Sequence, residues 1–153
     1  MALYLVQHGK SLPKDVDPQK GLSEEGQSEV EMIAAVARGY GVSVAGISHS
    51  GKTRARQTAE IFAAALDAKD RVTERSGINP LDDVAAVANA VSAEENQMLV
   101  GHLPFMERLT SQLITGSIDK PVFKFQNGGI VCLDQDPENR YWFIKWTLMP
   151  SIT

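Results

Sequence analysis

The chain has 153 residues, 43% hydrophobic and 22% charged, the composition of a soluble globular protein long enough to bury a sizeable core. Its formal net charge of −4 excludes a broad nucleic-acid footprint, which needs clustered Lys and Arg, and argues against an anionic membrane surface as partner. The single cysteine, Cys132, excludes an internal disulfide and a Cys-rich zinc site, and within Ile130-Val131-Cys132-Leu133 it reads as a small core residue. The apolar run Met1-Ala2-Leu3-Tyr4-Leu5-Val6 is too short for a secretory signal and lacks a basic start. No stretch approaches the roughly 20 apolar residues of a membrane span. A single domain over residues 1–153, located in the cytoplasm, is expected.

The first six residues read as a buried strand. A polar loop follows over 9–21, punctuated by Pro13 and Pro18. Ser23 is placed to cap a helix whose first turn holds Glu24 and Glu25, where the helix dipole favours anions. Val30, Ile33, Ala34 and Ala37 recur at helical spacing until Gly39 and Gly41 stop them. A second strand is expected over 42–47 and a helix over 53–66, with Ala55, Ala59, Phe62, Ala63 and Leu66 on one face. A short strand over 71–75 and an Ala- and Val-rich helix over 81–91 come next. Gln97-Met98-Leu99-Val100 is a strand, and Pro104 opens a helix that ends at Gly116. Strands over 129–133 and 141–148 flank the turn-rich link 134–139. Strands alternating with helices imply an α/β fold with a largely parallel sheet covered on both faces, and the last hairpin adds antiparallel strands at one edge.

In such a sheet, ligands bind beyond the carboxyl ends of the strands. Three strand ends carry the candidate chemistry: Gln7-His8-Gly9-Lys10-Ser11, then His49-Ser50-Gly51-Lys52-Thr53-Arg54, then Gly101-His102-Leu103-Pro104. His8 and His102 each stand beside a glycine that lets a ligand approach the backbone; His49 does not, and reads as a loop residue. A neutral imidazole is a good nucleophile near neutral pH, and its second nitrogen can be fixed by a backbone carbonyl. A transferring phosphoryl group spreads charge over three oxygens, which an arginine such as Arg54 grips bidentately and a protonated histidine such as His102 can also bind. These donors make a metal unnecessary. A surface ion pair of Arg54 with Glu60 or Asp67 is the plainer alternative.

A second pattern crosses the same place. Gly46-Ile47-Ser48-His49-Ser50-Gly51-Lys52-Thr53 satisfies G-x-x-x-x-G-K-[ST] of a nucleotide-binding P-loop, with Asp134 at the end of a later apolar strand as the magnesium partner. That reading leaves His8 and His102 unexplained. It also places the first glycine inside a strand.

Five stretches, in order, resemble the histidine phosphatase superfamily, and within it the SixA phosphohistidine phosphatases. Leu3-Tyr4-Leu5-Val6-Gln7-His8-Gly9-Lys10-Ser11 resembles the opening strand with its Arg-His-Gly signature, and Gly21-Leu22-Ser23-Glu24-Glu25-Gly26 resembles the Pro-Leu-Thr-x-x-Gly stretch. Ser50-Gly51-Lys52-Thr53-Arg54-Ala55-Arg56-Gln57-Thr58-Ala59 resembles Ser-x-x-x-Arg-Ala-x-Gln-Thr. Val100-Gly101-His102-Leu103-Pro104 resembles the strand of the second histidine, and Asn127-Gly128-Gly129-Ile130 the Thr-Gly-Gly entry to a late strand. The resemblance implies a three-layer α/β/α sandwich of phosphoglycerate mutase-like type and a metal-independent phosphatase without a cofactor. It implies that His8 is transiently phosphorylated, that Arg54 and His102 bind phosphoryl oxygens, and that Gly9 and Ser11 line the pocket. The implied partner is a protein bearing phosphohistidine, or a small phosphate ester.

Gln7 stands where the family has arginine before the nucleophile. A charge-assisted hydrogen bond contributes about 1.5–3 kcal/mol against roughly 1 for a neutral one. The difference slows a reaction by roughly five- to thirty-fold, unless Lys10 reaches the pocket. A phosphate-binding module without turnover is therefore a second reading. No firm general acid is visible: Asp82 and Asp83 are the nearest candidates and are equally placed to start a helix. A phosphohistidine substrate needs less help than an alkyl phosphate, because its imidazole leaves readily once protonated.

Overall fold

The computed structural model describes residues 1–153 throughout. Six strands form one sheet: β1 (Leu3–Gln7), β2 (Gly46–His49), β3 (Val72–Glu74), β4 (Gln97–Gly101), β5 (Ile130–Gln135) and β6 (Trp142–Leu148). The helices are α1 (Glu24–Gly39), α2 (Thr53–Ala65), α3 (Ala85–Ala90) and α4 (Phe105–Thr115). The order across the sheet is β3-β2-β4-β1-β5-β6. The first four run parallel, while β5 pairs antiparallel to β1 and β6 antiparallel to β5. The expected parallel sheet with an antiparallel edge is what forms.

Strand β1 is central, and its alternation builds both layers of the core. Tyr4 and Val6 enter a cluster with Val30, Ile33, Ala59 and Phe62 from α1 and α2. Leu3 and Leu5 face the other way, into a cluster with Val87, Phe105 and Leu109 from α3 and α4. Leu3, Leu5, Val6, Phe62 and Phe105 are fully buried, each stabilising the fold by about 1.5–3 kcal/mol relative to exposure. Cys132 is buried in the first of these clusters, where burial pushes its thiol up to about 12.

Three expectations shift. The strand expected over 42–47 lies instead at Gly46–His49, because Ala45 is held by Asn96 in a loop contact before pairing begins. The helix expected over 81–91 is reduced to Ala85–Ala90, since Asp82 and Asp83 accept hydrogen bonds from Asn79 and Ala85 and hold a turn ahead of it. His49 is the last residue of β2, 6% exposed, and not a loop residue. No helix is long and apolar enough to cross a membrane.

The loop over 9–21 is cross-linked and not loose. Leu12 donates to the Gly21 carbonyl, Ser11 bridges Leu22, and Gly21 donates to Asp17. Its base is clamped to α1, where Ser23 caps by accepting from Gly26. A Cβ at Gly26 would overlap the Lys10 carbonyl. Gly26→Ala is therefore expected to lose about 1–3 kcal/mol through overpacking, read as a lowered midpoint in urea unfolding. An unchanged midpoint would mean this clamp is slack.

Candidate active site

Parallel pairing sets the site. Gln7 of β1 lies opposite Gly101 of β4, so the next residues, His8 and His102, leave adjacent strands at the same edge. Neighbouring strands lie about 4.7–4.9 Å apart, and the two imidazole rings sit 4.9 Å apart between centroids. On the other side of β4, His49 of β2 pairs with Val100, and the chain turns through residues 50–52 into α2. That short turn brings Arg54, in the first turn of α2, back to His8. Sequence thus predicts His8, Arg54 and His102, and the fold brings all three together.

The proton of His8 is fixed by its own backbone. Nδ1 lies 2.7 Å from the Gly9 carbonyl oxygen, which can only accept, so Nδ1 carries the hydrogen. Nε2 is left with its lone pair, and Arg54 Nε donates to it at 3.3 Å. Burial, with smaller contributions from Arg54 and Lys20, pushes the His8 pKa down to about 4 despite the opposing Gly9 bond. His102 is 1% exposed, and burial with the charges of His8, Arg54, Lys52 and Lys20 takes it to about 3. Both rings are neutral at pH 7. His102 Nε2 meets the Ser50 hydroxyl at 2.6 Å, and its buried Nδ1 has no partner. The protonated form of His102 considered from sequence is thus not the form that burial favours at pH 7.

The remaining expected residues separate. Gly9 is a packing and anchoring residue: its N–H donates to Thr58 Oγ1 at 3.0 Å, and an added Cβ would press on Val30 at 2.7 Å. Its N–H is therefore committed, not free for an anion. Ser11 lies at the bridge to Leu22, and no hydrogen bond joins its hydroxyl to His8, Arg54 or His102. Gln7 is 9% exposed with Oε1 buried and unpartnered, a cost of about 1–3 kcal/mol. Lys10 pairs with Glu25 at 2.8 Å and Glu29 at 3.4 Å, so it does not replace the missing arginine. Glu60 takes Arg56 as its partner, leaving Arg54 free of any ion pair.

The P-loop arrangement does not form. Residues 46–49 are strand, only 50–52 make the turn, and Asp134 sits on an antiparallel strand within 3.6 Å of Lys145.

Sequence reasoning assigned no role to four residues that hold the site. Thr58 accepts from Gly9 and donates to the Arg54 carbonyl at 2.8 Å, tying the loop after His8 to α2. Gln57 accepts from Leu22 N–H at 2.7 Å. Asn127 donates to the His8 carbonyl at 3.0 Å, and Ser50 partners His102. All four lie inside the stretches that carry the family resemblance, which was the available signal.

Against solved structures, the chain matches the protein histidine phosphatase SixA complexed with tungstate, with a TM-score of 0.84, 22% identity, and 98% of this chain and 97% of that one covered. A protein from Agrobacterium tumefaciens assigned as a phosphohistidine phosphatase SixA gives 0.77 and 26%, with 97% of each chain covered. A mycobacterial glucosyl-3-phosphoglycerate phosphatase complexed with VO3 gives 0.69 and 12%, covering 97% and 99%. No family model matches the sequence, nor does any curated protein. The fold is the α/β fold of the phosphoglycerate mutase-like histidine phosphatases. Within that class, the chain resembles the SixA phosphohistidine phosphatases.

Both histidines have depressed folded pKa values, so the unfolded chain binds more protons below about 6.5. The stability these groups contribute is whole above pH 6.5 and is lost as pH falls towards about 4 for His8 and about 3 for His102. A bound dianion reverses the balance by favouring the charged ring. Sulfate, which does not titrate at pH 5.5, is expected to bind with net proton uptake, measured by calorimetry in buffers of different ionisation enthalpy. His102→Asn should lose most of that uptake. Sulfate binding with no proton uptake in the unaltered protein would contradict the assignment.

Proposed function

We propose that this chain is a metal-independent phosphatase that hydrolyses protein phosphohistidine through a phosphorylated His8. The observation that carries this reading is the tautomer of His8: Nδ1–H held by the Gly9 carbonyl leaves Nε2 unprotonated beside Arg54 and the His102 ring. Nε2 attacks phosphorus in line, forming an N–P bond as the P–N bond to the substrate imidazole breaks; that ring, already protonated on its other nitrogen, leaves as neutral imidazole. Arg54 binds equatorial oxygens as charge develops, and the unpaired Nδ1 of His102, with Ser50 on Nε2, allows that ring to take a proton and bind the same group. Water then breaks the His8 N–P bond, releasing inorganic phosphate. The resemblance to solved phosphatases supports hydrolysis of a phosphoryl group, and the weak provision for a general acid favours a P–N over a P–O substrate. Asp82 and Asp83 are committed to backbone N–H groups in a turn and are not offered as that acid.

Hydrolysis of phosphohistidine and of an aryl phosphate, with and without chelator, tests this reading. Turnover should survive the chelator and vanish in His8→Ala; undiminished turnover in His8→Ala would refute it. Gln7→Arg, which restores a charged donor next to the nucleophile, is expected to raise kcat by roughly five- to thirty-fold. The buried, uncharged Gln7 also favours a second reading, a module that binds phosphorylated partners without turning them over. Calorimetric binding of a phosphopeptide with no turnover, in both the unaltered protein and Gln7→Arg, would select it.

A further inference from the structure

Beside Arg54 opens a wide cleft lined by Lys14, Lys20, Lys52 and Arg56 as well as Arg54 itself. No acidic side chain lines it, and no Val, Leu, Ile, Met or aromatic residue does. Lys14, Lys20, Lys52 and Arg54 form no ion pair; among the five, only Arg56 has a carboxylate partner, Glu60. The nearby Asp17 accepts from the backbone N–H groups of Gln19 and Gly21, and the Glu74 carboxylate lies against Gly51. In a chain with a net charge of −4, this gathers five of its 15 basic residues at one place. Self-repulsion of this kind is unfavourable unless an anion is bound there. Lys52, the lysine of the P-loop-like pattern, has no nucleotide phosphate to cradle and finds its surroundings here.

We infer that this cleft is a docking surface for acidic polypeptide flanking the phosphorylated residue. The inference rests on the phosphohistidine reading of His8 and adds the chemistry of the partner. Arg54 belongs both to the cleft and to the His8 site, so an occupant of one continues into the other. Pro18 is the only apolar side chain lining the cleft, which gives a nucleobase or an aromatic ring little to pack on, whereas Asp and Glu side chains need only cations. The openness of the cleft suits the surface of a folded partner or an extended segment. Each exposed ion pair contributes up to about fivefold in affinity, so several acidic neighbours are required for a tenfold effect.

The test uses two fluorescent peptides carrying a stable phosphohistidine mimic, one flanked by Asp and Glu and one by Ser and Gly. Binding is measured by anisotropy at low and high salt, so the outcome does not depend on turnover. The acidic peptide is expected to bind at least about tenfold more tightly at low salt, with the advantage lost at high salt. The double variant Lys14→Glu, Arg56→Glu should lose that advantage, while affinity for the neutral peptide changes less than about threefold. Equal affinity for the two peptides, or an advantage that persists in the double variant, would overturn the inference. Tighter binding of a single-stranded RNA than of the acidic peptide would overturn it as well. Phosphoramidate turnover measured alongside reports on the phosphatase reading separately.

Discussion

The hydrogen bond from His8 Nδ1 to the carbonyl of Gly9 governs what this site can do. A neutral imidazole has one donor and one acceptor, and committing the donor to the backbone decides where the lone pair points. The bond depends on the local backbone being held, and that restraint is distributed. Gly9 N–H is anchored on Thr58, the His8 carbonyl accepts from Asn127 and Gly128, and the loop beyond is clamped to α1 and Gln57. Strand pairing alone would place His8 at the right edge of the sheet. These additional bonds fix its rotation there.

The same arrangement sets the electrostatics. Two imidazoles 4.9 Å apart, largely withdrawn from water and near Arg54, Lys20 and Lys52, are both held neutral at pH 7. Below about pH 6.5 keeping them neutral costs stability, and an incoming dianion relieves that cost. On this account anion binding and protonation of His102 are coupled, which would supply positive charge as the phosphoryl group arrives. Gln7 weakens this design, since a buried neutral amide occupies the place of a permanent cation, and Lys10 is drawn away by Glu25 and Glu29. The cationic cleft beside Arg54 lies outside the immediate His8 pair and adds field without adding a bond to it.

Much of this was legible in the sequence because it depends on local pattern. The helical spacing of Val30, Ile33, Ala34 and Ala37, the Ser23 cap and the Gly116 stop all describe elements that form as read. The glycines beside His8 and His102 marked strand ends, and parallel pairing converted that into proximity. What was not legible depends on contacts distant in sequence. The late start of β2 follows from the Ala45 contact with Asn96, 51 positions further along, and the roles of Thr58 and Asn127 follow from bonds to Gly9 and His8. His49 looked like a loop residue because no local signal showed that β2 would run through it. The gathering of Lys14, Lys20 and Lys52 is likewise invisible until the loop over 9–21 folds against the turn before α2.

The central claim is a covalent one: phosphorus passes through Nε2 of His8. Rapid quenching of the protein with radiolabelled phosphohistidine substrate, followed by peptide mapping under alkaline conditions, tests it most directly. The account predicts an acid-labile, alkali-stable label on His8, attached at Nε2, that forms and decays at rates consistent with turnover. Turnover with no phosphorylated protein at any time, or a label that persists in His8→Ala, would contradict it.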